Sequence, residues 1–283
     1  MENTISYQAY LKSPFKSIKH TTYFEVYDAL LSRYIGKNIT FVEIGILGGG
    51  SLFMWRDFLG PQARIIGVDL NPSAKKWEKD GFEIFIGSQS DEVFWQNFCS
   101  KVGKLDVVLD DGGHTYLQQV TTCEMLLPYI NQNGMLIVED THTSYMNGFG
   151  PRNYSFINYT NIMIDNINRR SGKLGSELLD NRVWSVQTFD SIVAFHVNHN
   201  ATVVTSVSTT NNGMDDLAED FRHHENELLS FYRASVKHLN FLKYIYGLKR
   251  IASLIREFIG NHTGPINQLK KYFKSNILVK RKI

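Results

Sequence analysis

The sequence predicts an α/β domain built on a doubly wound, mostly parallel sheet, followed by a helical, basic C-terminal extension. Three observations carry this. First, Leu105-Asp106-Val107-Val108-Leu109-Asp110-Asp111 and Met135-Leu136-Ile137-Val138-Glu139-Asp140 are short apolar runs that end abruptly in acids. Strands buried on both faces in this manner belong to parallel sheets. Second, strand-like and helix-like stretches alternate from Ile39 to about Ser208, as in a doubly wound sheet. Third, from Asp215 onward the pattern changes to helices mixed with basic residues. The expected divisions are a helical lead-in over residues 1–38, the sheet domain over 39–210 and the extension over 211–283.

In the lead-in, His20 to Leu31 has apolar residues near helical spacing, and its His and Tyr side chains either cover the sheet edge or reach a cofactor. Ile39–Ile46 is the first strand and runs into Gly45-Ile46-Leu47-Gly48-Gly49-Gly50-Ser51. Glycines there let the backbone pass close to a ligand, and a helix starting near Ser51 offers free N–H groups. The second strand, Arg64–Asp69, ends in an acid 24 residues after Gly45, a spacing suited to a ribose diol. The pattern Gly-x-x-Gly-Gly-Gly departs from the dinucleotide fingerprint. Glu43, two residues before its first glycine, would crowd a pyrophosphate but suits a ligand carrying an ammonium group. S-adenosyl-L-methionine has that group, a ribose and no phosphate; NAD is the poorer reading.

Phe82–Gly87 is the third strand, followed by Ser88-Gln89-Ser90-Asp91 and a helix with Val93, Phe94, Phe98 and Val102 on its apolar side. Gln89 either meets an adenine edge or belongs to a helix-cap loop. After the acid-tipped fourth strand, a helix runs from about Tyr116 to Ile130 with Leu117, Val120, Met125, Leu126 and Leu127 toward the core. Asn131-Gln132-Asn133-Gly134 reads as a turn into the fifth strand. The loop Thr141–Pro151 is polar and aromatic. Loops at the carboxyl edge of a sheet carry substrate contacts, which makes His142 and Tyr145 candidates. Residues 153–170 read as a helix, Val183–Phe189 and Ser191–Val197 as strands, and Ala201–Ser208 as a last strand. Leu217–Tyr232 and about Leu239–Ile259 read as helices.

A hydrophobic share of 43% and a charged share of 20% exclude a disordered chain. The N-terminus lacks the basic and apolar regions of a signal peptide, and no apolar run has the length to span a bilayer. The only cysteines are Cys99 and Cys123, so a reducing, cytoplasmic setting is expected. The net charge of +2 is unevenly divided: residues 236–283 hold eleven Lys or Arg against Glu257 alone, +10, which leaves −8 for the rest. An acidic body with acids at its catalytic edge argues against nucleic acid as partner.

Because ligands of open parallel sheets sit outside the carboxyl ends of the strands, Asp110, Asp111, His114, Glu139 and Asp140 should surround one cleft. One acid after a strand is ordinarily a helix cap, but two acidic pairs repel unless a cation sits between them, so a divalent metal is expected. A metal lowers the pKa of an acceptor hydroxyl and directs it. An imidazole, the side chain that titrates near neutrality, can take its proton.

These residues also carry a resemblance. The turn Glu43–Trp55 resembles the S-adenosylmethionine site of class I methyltransferases. More narrowly, Asp110-Asp111-Gly112-Gly113-His114 with Glu139-Asp140-Thr141-His142-Thr143-Ser144-Tyr145 is similar to the metal-dependent sugar O-methyltransferases of macrolide biosynthesis, the macrocin and mycinamicin type. The resemblance covers roughly residues 16–200. It implies a Rossmann-like class I methyltransferase fold with S-adenosyl-L-methionine on the turn that holds Glu43, Gly45, Gly49 and Ser51 and its ribose at Asp69; Gln89 and Asp110, at neighbouring strand ends, are further cofactor candidates. It implies Mg2+ at Asp111, Glu139 and Asp140, with His114 as the base. The basic stretch after Val236 has no counterpart in it.

The expected activity is methyl transfer to a sugar hydroxyl of a nucleotide sugar, surface polysaccharide or glycosylated natural product. A catechol-like acceptor keeps the same fold and metal, and a non-catalytic S-adenosylmethionine-binding scaffold would not need clustered acids. The basic tail favours an anionic or membrane-associated acceptor, with peripheral contact at the inner face of the membrane. A homo-oligomer is expected.

Overall fold

The structure, a computed structural model, describes residues 2–170 and 182–214, together with residues 227, 228, 230, 231, 251, 254, 255 and 258. The chain divides into two compact units, Met1–Ser208 and Thr209–Ile283. In the second unit the described residues from 227 onward are helical; the rest of the helices expected there, and most of the basic stretch, lie outside the described residues. Among the described residues no helix is long and apolar enough to cross a membrane.

The first unit is a seven-stranded sheet. Its strands are β1 Thr40–Ile44, β2 Arg64–Asp69, β3 Glu83–Ile86, β4 Leu105–Asp110, β5 Ile130–Val138, β6 Ser185–Thr188 and β7 Val193–His196. Their spatial order is β3-β2-β1-β4-β5-β7-β6. The first five are parallel; β7 runs antiparallel to β5, and β6 antiparallel to β7. The order reverses between β1 and β4, the place where such sheets open a crevice at their carboxyl edge.

Helices α1 Ile5–Lys12, α2 Tyr23–Leu31 and α3 Gly50–Leu59 cover one face. There Phe24, Tyr27, Trp55 and Phe58 pack on Phe41, Ile65, Val107, Leu109 and Ile137. Helices α4 Glu92–Val102, α5 Tyr116–Leu126 and α6 Phe156–Arg169 cover the other, with Trp95, Phe98, Cys123, Leu126 and Phe156 on Val42, Ile66, Val108, Leu136 and Phe195. Successive strand residues thus face opposite apolar layers, which is why these strands read as continuous hydrophobic runs.

Several expected elements differ. Asn131–Gly134 is no turn: β5 runs through it, and its pairing with β4 shifts register between Leu105 and Val107. Asn133 takes a left-handed φ of 65°, and a Cβ on Gly134 would lie 2.6 Å from the Asp106 carbonyl oxygen. Residues that make turns also make bulges, because both need left-handed backbone or close approach.

Ala201–Ser208 is not a strand. Asn198 accepts from the Ala201 N–H and starts a short helix, α7 His199–Thr202, while Val203, Val204 and Val207 are exposed; β-branched residues without a buried face do not make a ladder. The fourth helix buries Trp95, Phe98, Cys99 and Val102, not Val93, and the fifth exposes Leu117 and ends at Leu126, two residues before Pro128.

Candidate active site

The carboxyl ends of β1, β4 and β5 lie side by side. Ile44 is in register with Asp110, and Asp110 with Val138. The ladder extends one step further, with Asp111 N–H donating to the Ile44 carbonyl at 3.0 Å and Glu139 N–H to the Asp110 carbonyl at 2.9 Å. This brings together two acidic pairs, Asp110-Asp111 and Glu139-Asp140, 29 residues apart in the sequence. The closeness requires Gly45: its φ is +83°, and a Cβ there would fall 2.2 Å from the Asp111 carbonyl oxygen.

The glycine-rich turn is packed by the protein itself. A Cβ on Gly49, φ +83°, would meet the Trp77 ring, and one on Gly50 the backbone of Phe15 and Lys16. The free space expected for a ligand at these glycines is therefore filled on that side by the lead-in and by Trp77. Asp69 braces the turn: Oδ2 accepts from the N–H of Ile46 (3.1 Å) and Leu47 (3.2 Å), and Oδ1 accepts from Asn71 (2.8 Å). Leu47 itself has φ 39° and is exposed.

Glu43 is fully buried. Its carboxylate accepts from Ser51 Oγ at 2.8 Å and Trp55 Nε1 at 3.0 Å, so the Ser51 hydroxyl expected at the cofactor turns inward. Burial pushes the Glu43 carboxyl up to about 7, with Lys19 pulling the other way. A carboxyl raised in this way holds its proton more tightly when folded. Its favourable contribution is present in acid and is lost as pH climbs from the free value of 4.5 to about 7. Glu43→Gln is expected to remove about 3 kcal/mol of pH-dependent loss, read as a flatter plot of unfolding free energy across that window. An unchanged slope would refute it.

Asp110 is also buried, and burial pushes it up to about 7 against hydrogen bonds from Gly112 N–H (3.1 Å) and Gln89 Nε2 (2.5 Å). Gln89 also donates to Thr122 Oγ1 (3.0 Å) and accepts from Gly113 N–H (3.2 Å). Both ends of its amide brace the Asp110–Gly113 loop. Helix α5 supplies this support through buried polar groups, Thr122 and Gln119, whose Nε2 donates to the Glu139 carbonyl at 3.1 Å. A capping box between Thr115 and Gln118 starts α5 immediately behind His114.

Asp111, His114 and Asp140 come together, one ligating atom from each lying within 4.8 Å of the others. His114 Nε2 is 3.3 Å from Asp140 Oδ2 and 4.0 Å from Asp111 Oδ1, while its buried Nδ1 has no hydrogen-bond partner among the described residues. Glu139, expected as a third ligand, stands outside this group. Its Oε1 accepts from Tyr27 OH at 2.5 Å and its Oε2 from Lys19 Nζ at 3.0 Å.

His142 Nδ1 lies 2.5 Å from Ser191 Oγ and 3.9 Å from Asp140 Oδ1. Tyr145 is half exposed on the same loop, which Tyr116 OH holds by donating to the Thr143 carbonyl at 3.1 Å. Strain collects here. Of the five non-glycine residues with left-handed φ among the described residues, Leu47, His114, Asp140 and Ser191 border this edge; the fifth is Asn133. Such backbone costs about 1–3 kcal/mol per residue and gathers at functional sites.

The lead-in contributes more than the sequence suggested. Lys19 Nζ also reaches Asp111 Oδ2 at 2.7 Å, Tyr23 OH donates to Asp140 Oδ1 at 2.5 Å, and His20 Nε2 lies 3.8 Å from the same oxygen. Tyr23 and Tyr27, four residues apart in α2, set their hydroxyls on one side of the helix, whereas Lys19 lies ahead of the helix and had no such signal. Burial alone would lower the Lys19 pKa, but Asp111 and Glu139 overcome it and hold the ammonium well above its usual range.

A family described as methyltransferase domain matches residues 42–141. The chain is similar to the 8-demethyl-8-(2-methoxy-alpha-L-rhamnosyl)-tetracenomycin-C 3'-O-methyltransferase of Streptomyces olivaceus, 34% identical over 132 residues, 44% of this chain and 33% of that protein. It is similar to the mycinamicin VI 2''-O-methyltransferase of Micromonospora griseorubida, 32% identical over 133 residues, 44% of this chain and 32% of that protein. The matched stretch thus spans about a third of these curated relatives. Among solved structures, the MycE methyltransferase of the mycinamycin pathway, in complex with Mg, SAH and mycinamycin VI, superposes with a TM-score of 0.60 at 23% identity. It covers 68% of this chain and 52% of that one.

The fold is that of a Rossmann-like class I methyltransferase. Within it, residues 42–141 match the methyltransferase domain family, and the similar curated proteins are O-methyltransferases named for macrocin, mycinamicin and tetracenomycin substrates.

Proposed function

We propose that this protein is a magnesium- and S-adenosylmethionine-dependent O-methyltransferase acting on a sugar hydroxyl. The observation that carries the reading is the convergence of Asp111 Oδ1 and Asp140 Oδ2 on His114 Nε2, beside the turn that Asp69 braces. Two oxygen donors on a rigid sheet edge suit a hard divalent ion, and the buried Nδ1 of His114, without a hydrogen-bond partner among the described residues, marks a polar centre there. That MycE is described with Mg, SAH and mycinamycin VI, and that the relatives are named for methylation at sugar positions, supports the same reading.

When bound, the ion and the cofactor supply a Lewis acid for the acceptor hydroxyl and an activated methyl group. The protein's part is placement and proton transfer. His114 Nε2 takes the hydroxyl proton, and Asp140 Oδ2, 3.3 Å away, stabilises the imidazolium that results. His142, Tyr145 and Ser191 border the acceptor's side. Asp69 has both oxygens on backbone N–H groups yet keeps lone pairs for a ribose diol.

In this reading residues 39–210 are the catalytic domain, 1–38 its helical cover and 211–283 an extension. The enzyme is a cytoplasmic homo-oligomer, and the surplus of +10 after Val236 favours an acceptor that is anionic or membrane-bound.

Calorimetric titration of S-adenosylhomocysteine into the full chain, with and without Mg2+, tests it. Micromolar binding that Asp69→Ala weakens at least about tenfold, the loss of one charged hydrogen-bonding partner, is the expected result. No binding under either condition overturns the reading.

A further inference from the structure

The acid cluster has a cation of its own, and its position divides the carboxylate oxygens into two sets. Lys19, its side chain 2% exposed, places Nζ 2.7 Å from Asp111 Oδ2, 3.0 Å from Glu139 Oε2 and 4.0 Å from Glu43 Oε1. Tyr27 OH donates to Glu139 Oε1 and Tyr23 OH to Asp140 Oδ1. Glu139 therefore has both oxygens engaged on the inner side of the cluster. Asp111 and Asp140 each keep one, Oδ1 and Oδ2, and both face His114. Taking Lys19 away to free Glu139 would leave Glu43 and Glu139, both wholly buried, without their counter-charge, a cost of several kcal/mol for buried ions.

We propose that Lys19 and Tyr27 withdraw Glu139 from the divalent-ion site. The ion is held through Asp111 Oδ1 and Asp140 Oδ2, and Glu139 acts as a positioning residue that anchors Lys19 and, through it, Asp111. The proposal rests on the metal-dependent reading above and narrows it. With two protein carboxylates committed instead of three, the ion keeps more positions for water or for the acceptor's hydroxyls, as small hard cations ordinarily do. It also places the ion toward the loop that carries His142 and Tyr145 and away from the buried side.

The test uses Mn2+ as the probe on the full chain. Changing Lys19→Met and Glu139→Gln together removes one positive and one negative charge, so the net charge of the cluster is unchanged. The expected result is a Mn2+ affinity lowered no more than about tenfold, the lower end for a group outside the coordination sphere. The number of exchangeable waters on bound Mn2+, counted by water-proton relaxation, should stay as in the unmodified chain. Asp111→Asn is the control and should lose at least about a hundredfold in affinity. One additional coordinated water in the double variant, or a loss as large as the control's, overturns the inference while leaving the metal reading intact. An unmodified chain that binds no Mn2+ at millimolar concentration overturns the metal reading itself. If the double variant does not fold, Glu139→Gln alone is read by the same water count.

Discussion

Replacing Asp111 with asparagine is expected to lower methyl transfer to a sugar acceptor by at least about a thousandfold, equivalent to about 4 kcal/mol of lost transition-state stabilisation. The substitution keeps the side chain's shape and the backbone bond from Asp111 N–H to Ile44 that fixes the end of β4. It removes the negative charge that faces His114 on one side and Lys19 on the other. Both consequences act in one direction. A neutral amide oxygen is a poorer partner for a divalent ion than a carboxylate, and the buried Lys19 ammonium is left to Glu139 and Glu43. S-adenosylhomocysteine affinity should change little, because Asp69, which braces the turn, makes its hydrogen bonds to Ile46, Leu47 and Asn71 and none of these involves Asp111. Turnover at saturating Mg2+, measured beside cofactor binding, checks this; undiminished turnover would remove the metal from the mechanism.

How far the sequence showed this site depends on how near in the chain its parts lie. The strand ends were legible because each signal is local: an apolar run, an abrupt acid, and a parallel sheet that brings such ends to one edge. Asp111, His114 and Asp140 followed from that. Lys19 did not, since it meets Asp111 and Glu139 across 92 and 120 residues, and a single lysine ahead of a helix is usually solvated. The glycine turn was read as room for a ligand, yet the close neighbours of Gly45, Gly49 and Gly50 are Asp111, Trp77 and Phe15; a glycine reports that something approaches, not what. Local chemistry misled in the same way elsewhere. Asn133 and Gly134 announce left-handed backbone and close packing, which a bulge in β5 uses as well as a turn does. Gln89 stood in the right place at a strand end, but the sequence could not tell a ligand's edge from the loop of Asp110 as its partner.

The second large effect expected is at His114, and the backbone decides how to measure it. His114 has φ 57°, a conformation that costs an alanine about 1–2 kcal/mol and that asparagine tolerates. His114→Ala would thus mix loss of the base with backbone strain, whereas His114→Asn removes the imidazole at a position that accepts it. Asparagine cannot take up a proton, so kcat should fall by about a hundredfold to ten-thousandfold, the usual range for a general base. KM and Mn2+ affinity should stay close to those of the unmodified chain. The pH profile separates this from a structural role. With the base gone, turnover depends on hydroxyl already ionised in solution, so the variant's rate should rise steadily with pH where the unmodified enzyme reaches a plateau. A profile of unchanged shape, or a kcat lowered less than about tenfold, would instead make His114 a brace for Asp140. That role is chemically open to it, because Nε2 lies 3.3 Å from Asp140 Oδ2 and an imidazole that only donates there would never need to accept. Of the other basic groups nearby, Asp140 already takes the Tyr23 hydroxyl on its other oxygen, Asp111 takes the Lys19 ammonium, and His142 shares a hydrogen bond with Ser191. An engaged carboxylate is the weaker base, and the His114 imidazole is therefore the group to which the proton is assigned.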